Sequence, residues 1–197
     1  MLRAPLAAIV IALAPIGAVA VLSPVAGTAS ARTRPAEERR ASLVWLLAET
    51  QTQLTRNGLD ALGPNTDELL INIANAPRAA ATVRVRALAG LAFYPNDATY
   101  AFLTSLLNER NLIGNDTGLR MRRQALRSLG VFGERAVDDL LSLKTDPEAG
   151  IRQAVALALG DTGSERALPV LELWLTTEPV LSVREAVDRA VNQLHRR

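Results

Sequence analysis

Residues 151–160 read IRQAVALALG, and the pattern returns as VRVRALAGLA from Val83, MRRQALRSLG from Met121 and VREAVDRAVN from Val183. Each segment opens on an aliphatic residue or methionine followed by Arg84, Arg122, Arg152 or Arg184, and eight positions after the opening stands Leu91, Leu129, Leu159 or Val191. The openings lie 38, 30 and 32 residues apart. Self-similarity at a period of 20 to 50 residues, in this range, is the signature of a stacked repeat architecture. A leucine also follows 20 residues after each of the first three openings, at Leu103, Leu141 and Leu171, so each unit reads as two short helices. Small side chains such as Ala154 and Ala158 suit helices that must approach closely.

Helix-end chemistry accompanies the pattern. Asp146-Pro147-Glu148 reads as an N-cap acceptor, a proline at the first helical position and an acid near the positive dipole end. Ser182 with Glu185 reads as a capping box. Gly130 and Gly160 follow the apolar stripes, where a left-handed C-terminal residue is expected, and Gly133-Glu134 and Gly163-Ser164 open the next helices. No stretch reads as a strand. The reading is a linker at 32–36, a long first helix at 37–57, Gly-, Asn- and Asp-bearing loops at 58–65 and 110–117, and paired helices to about residue 195.

These segments resemble the HEAT repeat family, whose second helix opens on Val-Arg with an alanine-rich inner face and whose repeats often place an acid six residues before that arginine. Here Asp116 precedes Arg122, Asp146 precedes Arg152 and Glu178 precedes Arg184, each by six. The resemblance implies an all-α fold, a right-handed α-solenoid of about four helical pairs over residues 66–197, with 37–65 as an N-terminal capping helix and loop. It also implies that the acids and arginines form a ladder, each Arg reaching the acid of its own or an adjacent unit. Arg78 replaces the acid before Arg84, so the ladder is expected to begin at the second unit. The first helix, with Leu43, Trp45, Leu46 and Leu47, and the amphipathic segment Val183–Leu194 are expected to cap the two ends, with Trp45 and Trp174 as core or cap residues.

The N-terminus reads as an export signal. Arg3 precedes 17 uncharged residues from Leu6 to Leu22, and Ala29-Ser30-Ala31 fits a small-x-small cleavage site, so cleavage is expected between Ala31 and Arg32. Uncleaved, the segment would be a membrane anchor, although 17 residues interrupted by Pro15 and Gly17 are short for about 30 Å of hydrocarbon. Both readings export the remainder, to a periplasm, a cell envelope or the exterior. The absence of cysteine excludes thiol catalysis, disulfides and lipoprotein anchoring, and suits an oxidising compartment.

Composition narrows the function. Twenty-two bases against 20 acids give +2, and 21 of the bases are arginine, Lys144 being the one lysine. A near-neutral chain is no evident nucleic-acid binder. His195, the sole histidine, stands beside Arg196-Arg197 at the C-terminus, and no phosphate loop, nucleophile elbow or metal cluster can be assembled. Asp138-Asp139 and Glu37-Glu38 read as solvated faces, because adjacent helical residues point about 100° apart. No cofactor and no catalytic residue is expected. The function expected is a non-enzymatic scaffold or adaptor holding a protein partner on the concave face through Arg86, Arg123, Arg127, Gln153, Glu185, Asp188 and Arg189. Rival readings are an enzyme or lyase on the same solenoid, and polyanion binding through Arg86, Arg123 and Arg127.

Overall fold

The computed structural model describes residues 35–196; the expected leader and most of the linker lie outside them. Ten α-helices follow one another among the described residues, with no strand. They are α1 (Ala36–Ala48), α2 (Arg56–Asp60), α3 (Thr66–Ala74), α4 (Ala81–Leu91), α5 (Asp97–Leu107), α6 (Asp116–Leu129), α7 (Val137–Leu141), α8 (Ala149–Thr162), α9 (Leu168–Thr177) and α10 (Leu181–His195). The pairs α3–α4, α5–α6, α7–α8 and α9–α10 stack as four units of an α-solenoid. The second helices carry the stack, α4 packing on α6, α6 on α8 and α8 on α10, while α1 packs on α4 in the place of a preceding second helix. None of the described helices is long and apolar enough to cross a membrane.

The repeated segments explain the stacking position by position. Counting from each opening residue, positions 0, 4, 7 and 8 are buried in all four second helices, from Val83, Ala87, Gly90 and Leu91 to Val183, Val187, Ala190 and Val191. The spacing 0, 4, 7, 8 is one face of a helix with 3.6 residues per turn. Position 5 is buried at Leu88, Leu126 and Ala156, where a following unit covers it, and exposed at Asp188. Each fully buried leucine contributes about 1.5–3 kcal/mol.

Several local expectations are corrected. The helix expected over 37–57 stops at Ala48, and the loop expected from residue 58 holds most of the short α2, which starts after Thr55, whose side chain accepts a hydrogen bond from the Gly58 amide at 3.1 Å. Trp45 is 69% exposed while Leu43 and Leu47 are buried, so the indole lies on the outer side of α1 and not in the core. Trp174 is buried. Ser182 lies inside α10, whose N-cap is Val180, so there is no Ser182–Glu185 capping box. Asp146 lies before the N-cap Glu148 of α8, and its Oδ1 accepts the Glu148 amide at 2.9 Å in the turn; Pro147 is therefore not the first helical residue.

Neither Gly130, the C-cap of α6, nor Gly160 is a left-handed helix end; both serve close packing. Gly130 is right-handed (φ −54°), and Gly160 lies inside α8; a Cβ on Gly130 would meet Asp161 Cβ at 2.8 Å, and one on Gly160 would meet Ala190 Cα at 3.0 Å. They let successive second helices touch. After these two glycines, positive φ comes one turn further on, at Gly133 (φ 60°) and Gly163 (φ 68°).

Candidate functional site

The buried register leaves one face of the second helices open. Positions −1, 2 and 6, spaced i, i+3, i+7 on a single helical stripe, are buried in none of the four. On α4 the stripe is Thr82, Val85 and Ala89; on α6 it is Arg120, Arg123 and Arg127; on α8 it is Gly150, Gln153 and Leu157; on α10 it is Ser182, Glu185 and Arg189. The stripes adjoin one another. Val85 shares a shallow groove of about 140 Å³ with Arg120, Arg123, Gln124 and Arg127. The Arg123 Cδ lies 3.5 Å from the place of a Gly150 Cβ, and Gln153 Nε2 donates to the Ser182 carbonyl at 3.4 Å.

Among the described residues Arg120, Arg123 and Arg127 take part in no ion pair, and their guanidinium groups donate no hydrogen bond to the protein. The flanking stripes of α4 and α8 hold no carboxylate to neutralise them. Arg120 escapes a sequence reading that counts only from the opening residue onward; the i, i+3, i+7 spacing of the three arginines is the signal that could have found it.

The remaining expected partner residues are placed differently. Arg86 is pinned to the N-terminal segment, its Nη2 donating to the Thr52 carbonyl at 2.8 Å and the Leu46 carbonyl at 3.5 Å, so it is a brace for α1 and not a free partner-binding group. Asp188 is off the stripe, on the side of α10 that no further unit covers among the described residues, and accepts from Asn192 at 3.1 Å. Arg189 Nε donates to the Glu185 carbonyl at 3.3 Å.

A second set of groups runs along the turns inside each unit. Arg122 donates through Nη2 to Asp146 at 2.7 Å and through Nε to the Leu107 carbonyl at 3.0 Å; both charged side chains are more than nine-tenths buried. Arg152 grips Glu178 with two bonds of 2.7 and 3.0 Å, and the Trp174 indole donates to the same carboxylate at 3.0 Å. Each of these arginines thus reaches the acid of the following unit. Hydrogen bonding from Arg152 holds the Glu178 carboxyl down at about 2, against the opposing effect of burial. Among the described residues the ladder has two rungs: Asp116 is exposed and in no ion pair there, Arg84 donates to the Ala74 carbonyl, and Arg184 reaches only the Glu178 carbonyl at 3.4 Å.

The opposite edge, where one unit leads to the next, carries an exposed network that sequence reasoning missed. Arg56 lies 4.2 Å over the Tyr94 ring and pairs with Asp60 at 2.8 Å. Arg135 lies 4.0 Å over the Tyr100 ring and pairs with Asp97, while Tyr100 donates to Asp139. Arg166 bridges Glu134 at 2.8 Å and Asp138 at 3.1 Å. Asp138 and Asp139 are therefore engaged with neighbouring units. Burial, then the Asp139 hydrogen bond, pushes the Tyr100 phenol up to about 12. No group of three or more metal-ligating side chains occurs among the described residues.

Residues 114–192 match the family model of HEAT repeats. Over that stretch the chain is similar to HEAT repeats. The matched stretch begins just before α6 and ends within α10, leaving α3, α4 and α5 outside it. HEAT repeats are generally non-enzymatic and act as protein-interaction scaffolds. No curated protein matches the chain.

Proposed function

We propose that this HEAT-repeat protein is an exported, non-enzymatic adaptor that holds a segment of a protein partner across the stripes of α4, α6, α8 and α10. The observation that carries the reading is the open face itself. Four helices present an unbroken, non-buried surface that mixes apolar Val85 and Leu157, amide Gln153 and unpaired guanidinium groups, the combination of apolar area and polar handles that protein interfaces use. Export rests on the leader pattern of residues 1–31.

A photo-crosslinking side chain placed at Gln153, and in a separate variant at Ala101 on the exposed side of α5, tests the face in native cells. The reading expects a covalent partner from position 153 and none from 101. The reverse result, or products from neither, removes it. Export is checked by N-terminal sequencing of the protein recovered from fractionated cells, with Arg32 expected as the first residue; an intact Met1 in the cytosolic fraction would end that part of the proposal.

A further inference from the structure

We infer that Arg120, Arg123 and Arg127 are the docking site for an acidic segment of the partner, laid extended along α6. The inference rests on the scaffold reading and specifies its ligand. The three guanidinium groups crowd one stripe without a carboxylate among them, while Arg56, Arg122, Arg135, Arg152 and Arg166 are each paired with an acid. Concentrated like charge on a folded surface is unfavourable until a counter-charge arrives, and carboxylates match the planar fork of arginine through two parallel bonds.

Spacing favours an extended peptide. Arg123 and Arg127 are four residues apart, about 6 Å along the axis at 1.5 Å per residue. Alternate side chains of an extended chain fall on one side about 6.6 Å apart. Carboxylates at every second residue would therefore meet successive arginines, with the Val85 side of the groove taking an apolar neighbour.

The surroundings favour a short acidic peptide over a long polyanion. Net positive charge is confined to α6: α4 and α8 are neutral on this stripe, and on α10 Glu185 offsets Arg189. Second helices about 8–10 Å apart put α10 some 16–20 Å from α6, about six extended residues away. A uniformly anionic strand crossing the face would find no net positive charge beyond α6, whereas a short peptide needs none.

Fluorescence anisotropy at low salt tests the site on the mature protein, using a labelled eight-residue peptide with glutamate at alternate positions, its glutamine counterpart, and labelled single-stranded DNA of eight nucleotides. The glutamate peptide should bind at least about tenfold tighter than the other two, and weaken as salt screens the charges. Changing all three residues, Arg120→Gln, Arg123→Gln and Arg127→Gln, should abolish this preference with an unchanged melting temperature, while Arg78→Gln, an exposed arginine elsewhere, should preserve it. Should the triple variant fail to fold, Arg120→Gln and Arg127→Gln singly, both at exposed positions, give the same test. Equal binding by the glutamine peptide, tighter binding by DNA, or an undiminished preference in the arginine variants would overturn the site. If position 153 still crosslinks a protein while the glutamate peptide does not bind, this inference fails and the scaffold reading stands.

Discussion

Glu178 concentrates the physics of the ladder. Its carboxylate is 3% exposed and accepts from two nitrogens of Arg152, the Trp174 indole and, at 3.1 Å, the Val180 amide. Removing one partner of a buried pair leaves the other charge uncompensated, which costs about 3–5 kcal/mol. Glu178→Gln keeps the shape but removes the charge, so a loss near the lower end, about 3 kcal/mol, is expected in urea denaturation at pH 7. The pH dependence has a definite sign. The folded carboxyl titrates at about 2 and its ordinary value is 4.5, so the stabilisation is complete above 4.5 and fades as pH falls toward 2. Midpoints measured from pH 6 to 2.5 should fall for the parent protein and less steeply for Glu178→Gln; parallel curves would show that the pair does not control acid stability. The acid six residues before each arginine is legible as a pattern, but which unit it binds is not, because spacing along the chain does not state which turns lie side by side.

Among the elements, the second helices and their close approaches decide the architecture. Positions 0, 4, 7 and 8 can be assigned from periodicity, since the recurrence of aliphatic residues at 3.6 per turn reveals the buried stripe. Glycines mislead for a physical reason. A glycine after an apolar stripe signals a left-handed helix end or a crossing, and only the neighbouring backbone distinguishes them. Gly118 is the sharpest case: a Cβ there would overlap the Leu112 carbonyl oxygen at 1.9 Å, on the first turn of α6 beneath the Asn115 cap. Gly118→Ala should therefore cost more than the 1–3 kcal/mol typical of overpacking, roughly 3 kcal/mol or above, and lower the melting temperature more than Gly150→Ala, whose Cβ would make only ordinary contact, the nearest atom being Arg123 Cδ at 3.5 Å. Ala158 is fully buried where α8 meets Gly130, and Ala158→Leu should destabilise by about 1–3 kcal/mol. A melting curve unaltered by that substitution would contradict the register.

For the whole molecule, the stack makes stability local, because each unit packs mainly on its neighbours and the interior helices have two of them. Hydrogen exchange should be slowest in α6 and α8, which are covered on both sides, and faster in α1, held on the array chiefly by α4 and the Arg86 bonds. Uniform protection along the chain would point to one global unfolding unit. What the sequence by itself determined was the repeat, the helical class, the buried stripe and the recurrence of an acid six residues before three of the arginines, because all of these are periodic and periodicity survives in one dimension. Only the tertiary structure decided that Arg86 is a brace, that Trp45 faces outward, that Arg120 joins Arg123 and Arg127, and that these three stand without counter-charges among the described residues. Those properties depend on which residues of other helices come within a few ångströms, a distance that position in the chain does not encode.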